Sequence, residues 1–126
     1  GAFGAFTVTL KLYPAIVTAH LLGGLALLAL LAAQAWRPAA DRVVRVSSAL
    51  RRSLIIVSLL AVLQIALGAW VSTNYAVLAC SDFPTCQGRW WPTMDFEHGF
   101  AVLRPLGVGK DGAWLPFAAL TAIHMT

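Results

Sequence analysis

Ala79-Cys80-Ser81-Asp82-Phe83-Pro84-Thr85-Cys86-Gln87-Gly88-Arg89-Trp90-Trp91-Pro92 is polar, turn-rich and aromatic, and it lies between strongly apolar segments. It holds both cysteines of the chain, in a Cys-x5-Cys spacing. Pro84 fixes one backbone angle between them, and Gly88 supplies a turn just after. Two thiols so placed either close a structural disulfide or act as a redox pair. Spacing favours structure, because catalytic thiol pairs are usually Cys-x-x-Cys. By the loop-entropy relation such a ring stabilises a fold by about 2 kcal/mol. A lasting disulfide needs an oxidising compartment, so this loop is expected on the periplasmic or exterior side.

Outward from this loop the chain is that of a membrane protein. Of its 126 residues 60% are hydrophobic and 11% charged, with mean hydropathy +0.78. A soluble domain is nearer half apolar and about a quarter charged. No signal-peptide pattern opens the chain. Its two ends fall inside apolar runs, which reads as an internal piece of a larger membrane protein.

Residues 1–12 read as a helix end and a short connector in which Lys11 snorkels to the interface. Residues 13–36 form the first full span, with Tyr13 and Trp36 about 35 Å apart along a helix, one at each interface. Ala15, Ala19 and Gly23 make a small-residue face for close helix approach, with His20 and Gly24 beside it. Residues 54–75 form the second span, with Gln64, Gly68 and Ser72 on one face and Trp70 and Tyr75 at the outer interface. Residues 113–126 begin a third at Trp114, with His124 two to three turns in. The fold class is therefore all-α, a polytopic transmembrane bundle.

Charge sets the orientation. The loop 37–53 carries Arg37, Arg42, Arg45, Arg51 and Arg52 against Asp41 alone. The loop 76–112 carries Arg89, Arg104 and Lys110 against Asp82, Asp95, Glu97 and Asp111. The positive-inside rule places the first in the cytoplasm and the second outside, in agreement with the cysteines. The pI of about 9.7 thus follows from topology and not from a nucleic-acid surface. The long second loop is expected to hold a short interfacial helix over Phe96–Leu103. Its Gly107–Gly112 stretch lacks a phosphate-loop pattern.

Among candidate site residues, an ionisable side chain inside a span is functional by default, which singles out His20 and then His124. Neutral imidazole is a common haem-iron ligand, and the plain alternative is a bond to a neighbouring helix. His98, beside Glu97, reads as a solvated or loop-packing histidine. The external carboxylates show no paired-acid pattern. Zinc would need more ligands than the two cysteines and His98 supply. Trp90 and Trp91 read most simply as interfacial anchors, with cover for a flat cofactor as the weaker reading.

The stretch Gln64 to Pro92 resembles the proteobacterial branch of the haem A synthase family. Leu10 to Gly24 resembles that family's fourth span, and Leu120-Thr-Ala-Ile-His124 the start of its sixth. The resemblance implies an eight-span inner-membrane enzyme of two four-helix bundles that oxidises a methyl group of haem O to the formyl of haem A. This chain would cover the end of span three, spans four and five, the third external loop and the start of span six. His20 then matches a histidine facing the substrate haem, and Cys80 and Cys86 match the disulfide of the second half. That half is expected to hold haem b through histidines on spans six and eight. The span-six ligand in the family is a second histidine, one turn after His124 and beyond Thr126, which makes His124 either a ligand of haem iron or a pocket neighbour. The catalytic residues are not assigned, since the glutamate and histidine of span two lie outside the chain. Implied partners are haem O synthase, membrane lipid and an unidentified electron acceptor; a homo-oligomer is left open. Two rivals stand beside this reading. A membrane thiol–quinone oxidoreductase would need Cys-x-x-Cys or a second cysteine pair. A non-catalytic haem b-binding subunit would keep the histidines without haem O turnover.

Overall fold

Two long apolar helices dominate the computed structural model, which describes residues 2–9, 13–36 and 45–126. Helix α1 spans Ala2–Thr9, α2 Pro14–Trp36, α3 Ser48–Thr73, α4 Phe96–Gly99 and α5 Phe117–His124, with a 3-10 turn at Ala76–Leu78. The described residues contain no strand, only isolated bridges at Cys86–Arg89 and Val108–Trp114. The fold is a helical membrane bundle, as the composition and the long apolar runs imply.

Helix α2 starts where expected. Pro14 takes the first helical position, where its missing N–H costs nothing, and the Tyr13 carbonyl accepts from Ile16 and Val17. Its 23 residues have mean hydropathy 2.2, enough to cross a bilayer. Helix α3 starts six residues before the expected Leu54. Ser47 is its N-cap, with Oγ accepting from the Leu50 N–H at 3.2 Å. Arg51 and Arg52 therefore lie on the first turns of a helix and not in a loop; residues 37–44 of the basic segment lie outside the described residues. Helix α3 ends at Thr73 because Asn74 caps it and Tyr75 turns into the left-handed region at φ 54°.

The two spans pack along a seam lined by Leu22, Leu25, Ala26 and Ala29 of α2 and Val62 and Ile65 of α3. The small-residue face Ala15–Ala19–Gly23 is not that seam: a Cβ placed on Gly23 meets nothing within 4 Å. The apolar core lies at the Thr73 end of α3. There Trp70, Ala76 and Ile123 are buried together, with Ala15, Val71, Phe100 and Leu120 packed around them. Trp70 was expected at the lipid interface as an anchor. It is only 9% exposed, because its indole Nε1 donates to the Gly99 carbonyl at 3.1 Å and its ring stacks on Phe100. A buried indole needs such a partner.

The same contact shortens the expected Phe96–Leu103 helix to Phe96–Gly99. Asp95 caps its start through the His98 N–H at 3.1 Å, but the Gly99 carbonyl is spent on Trp70 and Arg104, and the helix goes no further. The last helix starts at Phe117 and not at Trp114. Pro116 is extended at ψ 148°, and Trp114 is paired with Val108 in a turn.

Candidate functional site

Helix α2 carries His20 on an open face. With Ala19, Gly23, Gly24 and Leu27 it lines an apolar hollow of about 410 Å³. Neither glycine would meet another atom within 4 Å if it carried a Cβ. Across the ring lies α1, where a Cβ on Gly4 would sit 3.7 Å from His20 Cε1. One wall of the imidazole is thus closed by a glycine-level helix approach, and the other faces free space. An imidazole beside two exposed glycines can meet a broad flat group without steric cost.

His124 lies near the end of α5 in a different environment. Its Nδ1 is 3.0 Å from the carbonyl of Ala76, a residue with no exposed surface. A carbonyl only accepts, so Nδ1 carries the proton and Nε2 keeps the lone pair of the neutral ring. Histidines that bind metal are held in this way by a carbonyl on the second nitrogen. His20 and His124 share no neighbour in these contacts: one belongs to α1 and α2, the other to α5 and the turn after α3. Among the described residues no three metal-binding side chains converge.

The cysteines are joined. Cys80 and Cys86 have S–S 1.99 Å and Cα–Cα 4.8 Å, and Cys86 is wholly buried. Asp82 organises the ring from inside. Its carboxylate accepts from the Ser81 and Thr85 hydroxyls, from Gln87 N–H at 2.7 Å and from Gly88 N–H at 2.9 Å. These donors, the Thr85 hydroxyl first, hold its carboxyl below the usual range. Gln87 leaves the ring in the left-handed region at φ 55°, and its amide reaches the Ala79 carbonyl at 3.2 Å and Thr121 Oγ on α5 at 3.4 Å.

The remaining loop folds back on the helix ends. His98 is half-buried and packed within the loop, with Nδ1 2.8 Å from Asp95 and Nε2 4.0 Å from Asp111. The His98 backbone N–H and the imidazole beyond it lower the Asp95 carboxyl. Lys110 pairs with Glu97 at 3.0 Å on the surface. Sequence reasoning missed Arg104, counted there only as a loop charge. It is 1% exposed and has no carboxylate partner among the described residues. Its guanidinium donates to Asn74 Oδ1 at 2.5 Å, the Val108 carbonyl at 3.2 Å and the Gly99 carbonyl at 3.5 Å. Asn74 in turn donates to the Trp70 carbonyl at 2.8 Å. Arg104 thus sits where α3 and α4 both end, bonded to the capping side chain of the first and the last carbonyl of the second. Burial pushes its pKa down. The signal was there to read: Arg104 is the one charge in the apolar run Phe100–Val108.

Against known proteins the chain matches the family described as cytochrome oxidase assembly protein (COX15-CtaA) over residues 1–124. It is 36% identical over 128 residues to the Heme A synthase of Shewanella oneidensis, covering 99% of this chain. The chain spans 39% of that relative's length. No solved structure matches it. A match over nearly the whole chain, on spans and a cysteine loop of this geometry, is decisive: the chain belongs to the cytochrome oxidase assembly protein family.

Proposed function

We propose that the chain is part of a haem A synthase, a multi-pass enzyme of the inner membrane that oxidises a methyl group of haem O to the formyl of haem A. The family and the Shewanella relative support this reading, and the His20 hollow is the observation that carries it. Methyl to formyl with an oxygen from water releases four electrons and four protons, so a separate electron acceptor is a partner. Haem O synthase supplies the substrate. His20 lies inside a span beside two uncovered glycines, where a porphyrin face fits against the helix. Its imidazole orients that face by reaching the iron.

The second half would hold haem b as resident cofactor, and the residues present fit it. His124 has Nδ1 committed to Ala76 and keeps the Nε2 lone pair for iron or for the pocket. When bound, haem b supplies one-electron chemistry. The arginines of 37–53 would lie in the cytoplasm and the disulfide loop 76–112 in the periplasm.

A thiol–quinone oxidoreductase fits less well, since the described cysteines form one ring whose Cys86 is inaccessible to a second thiol. The test is His20→Ala in the full-length protein. Haem A formation is expected to be abolished while the protein accumulates and keeps the haem b of its second half. Normal haem A formation would make His20 a packing residue. Haem binding by the wild-type protein without haem O turnover would favour the non-catalytic subunit.

A further inference from the structure

The loop after α3 exposes apolar side chains to a degree that solvent does not favour. Phe83 is 96% exposed, Leu78 84%, Trp91 80% and Trp90 68%. None of them takes part in the core at the helix ends. They follow one another closely, and the disulfide keeps them together.

Their depth can be read from α3. Arg52, on its first turns, must sit at a membrane interface. Thr73 lies 21 residues further on, about 32 Å along the helix and close to the thickness of the hydrocarbon core. The chain therefore leaves the core at Thr73, and Tyr75–Leu78 begin in the opposite headgroup layer. The polypeptide does not climb away from there. The disulfide returns Cys86 to 4.8 Å from Cys80, and Cys86 and Arg89 exchange backbone bonds at 2.9 and 3.1 Å. Trp90 and Trp91 follow directly on that closed ring, whose first cysteine lies two residues after Leu78. Gln87 ties the ring to Thr121 of α5, itself an apolar helix.

Charge selects among the occupants. The ring's carboxylate, Asp82, is turned inward onto its own donors. Arg89 stands exposed among the aromatics without an acidic partner among the described residues. Trp and Phe with an unpaired guanidinium match the headgroup layer, where ring faces meet acyl carbons and the cation meets phosphate.

We propose that the disulfide loop is a lipid-contacting lip: Leu78, Phe83, Trp90 and Trp91 sit in the phospholipid headgroup layer at the Thr73 end of α3, with Arg89 against phosphate. The ring's role is then to hold this lip down on the bilayer. The inference rests on the membrane spans and stands apart from the substrate reading.

The experiment places a photoreactive phenylalanine analogue at Phe83, at Trp91 or, as a solvated control, at Lys110. The full-length protein is reconstituted in phosphatidylethanolamine–phosphatidylglycerol vesicles and irradiated. At least tenfold more phospholipid adduct at positions 83 and 91 than at 110 is expected by mass spectrometry. Adducts to another segment of the same polypeptide, to a second copy, or none above the control would overturn the proposal. Phe83 makes no packing contact to lose, so that position decides if the variant at 91 fails to accumulate.

Discussion

At the scale of single residues, the least visible side chain is the most consequential. Arg104 gathers Asn74, Gly99 and Val108 around one buried guanidinium. Replacing it with alanine leaves Asn74 Oδ1 and the Val108 carbonyl without a donor, while the Gly99 carbonyl keeps the Trp70 N–H. The cost expected is about 2–4 kcal/mol, read as a lower midpoint of thermal unfolding in detergent. Arg104→Lys is expected to recover little of this, because a point ammonium cannot span the three acceptors that the planar fork reaches. An unchanged midpoint for Arg104→Ala would mean that the loop is held by Trp70 and the disulfide alone. Trp70 teaches the same lesson from the other side. Its position near the end of a span suggests an interface anchor, yet its N–H is used to stop a neighbouring helix.

At the scale of elements, α2 presents two different faces. Leu22, Ala26 and Ala29 line the seam with α3, while His20, Gly23 and Gly24 border open space. In a helix interior each glycine costs about 1 kcal/mol relative to alanine, so two exposed ones are expensive unless a neighbour needs the room. Gly24→Leu separates the two effects. The helix itself gains propensity, so the full-length protein is expected to accumulate at or above the normal level. The side chain fills the hollow beside His20, so haem O binding, read from the visible spectrum, is expected to fall at least tenfold. Undiminished binding would place the porphyrin elsewhere. Helix α5 shows the reverse arrangement: its histidine is held by the turn at Ala76, outside its own helix, so its orientation depends on the loop packing.

At the scale of the whole molecule, the two ends of the spans differ in kind. One end carries Arg45, Arg51 and Arg52 on or beside the first turns of α3; the other carries the folded, disulfide-closed cap. Topology reporters inserted at Ala40 and at Gly109 of the full-length protein are expected to report cytoplasm and periplasm, respectively. An alkaline-phosphatase signal from the Ala40 site alone would invert the assignment, and with it the compartment of the disulfide.

Sequence alone was enough for whatever depends on composition and local order. Apolar length set the two spans, since each run is long and apolar enough to cross a bilayer core. Pro14 set the start of α2, and the Cys-x5-Cys spacing around Pro84, with Gly88 after it, suited a closed ring. His20 and His124 stood out because a titratable group in a span is costly anywhere along it. What only the tertiary structure decided were the long-range pairings. Gly99 and not Leu103 ends α4, and Trp70 and Arg104 are interior residues. Each of these is settled by which donor reaches which acceptor across some 25–30 residues of chain. Hydrophobic periodicity carries no record of such partners, because they are chosen by the way the helix ends converge.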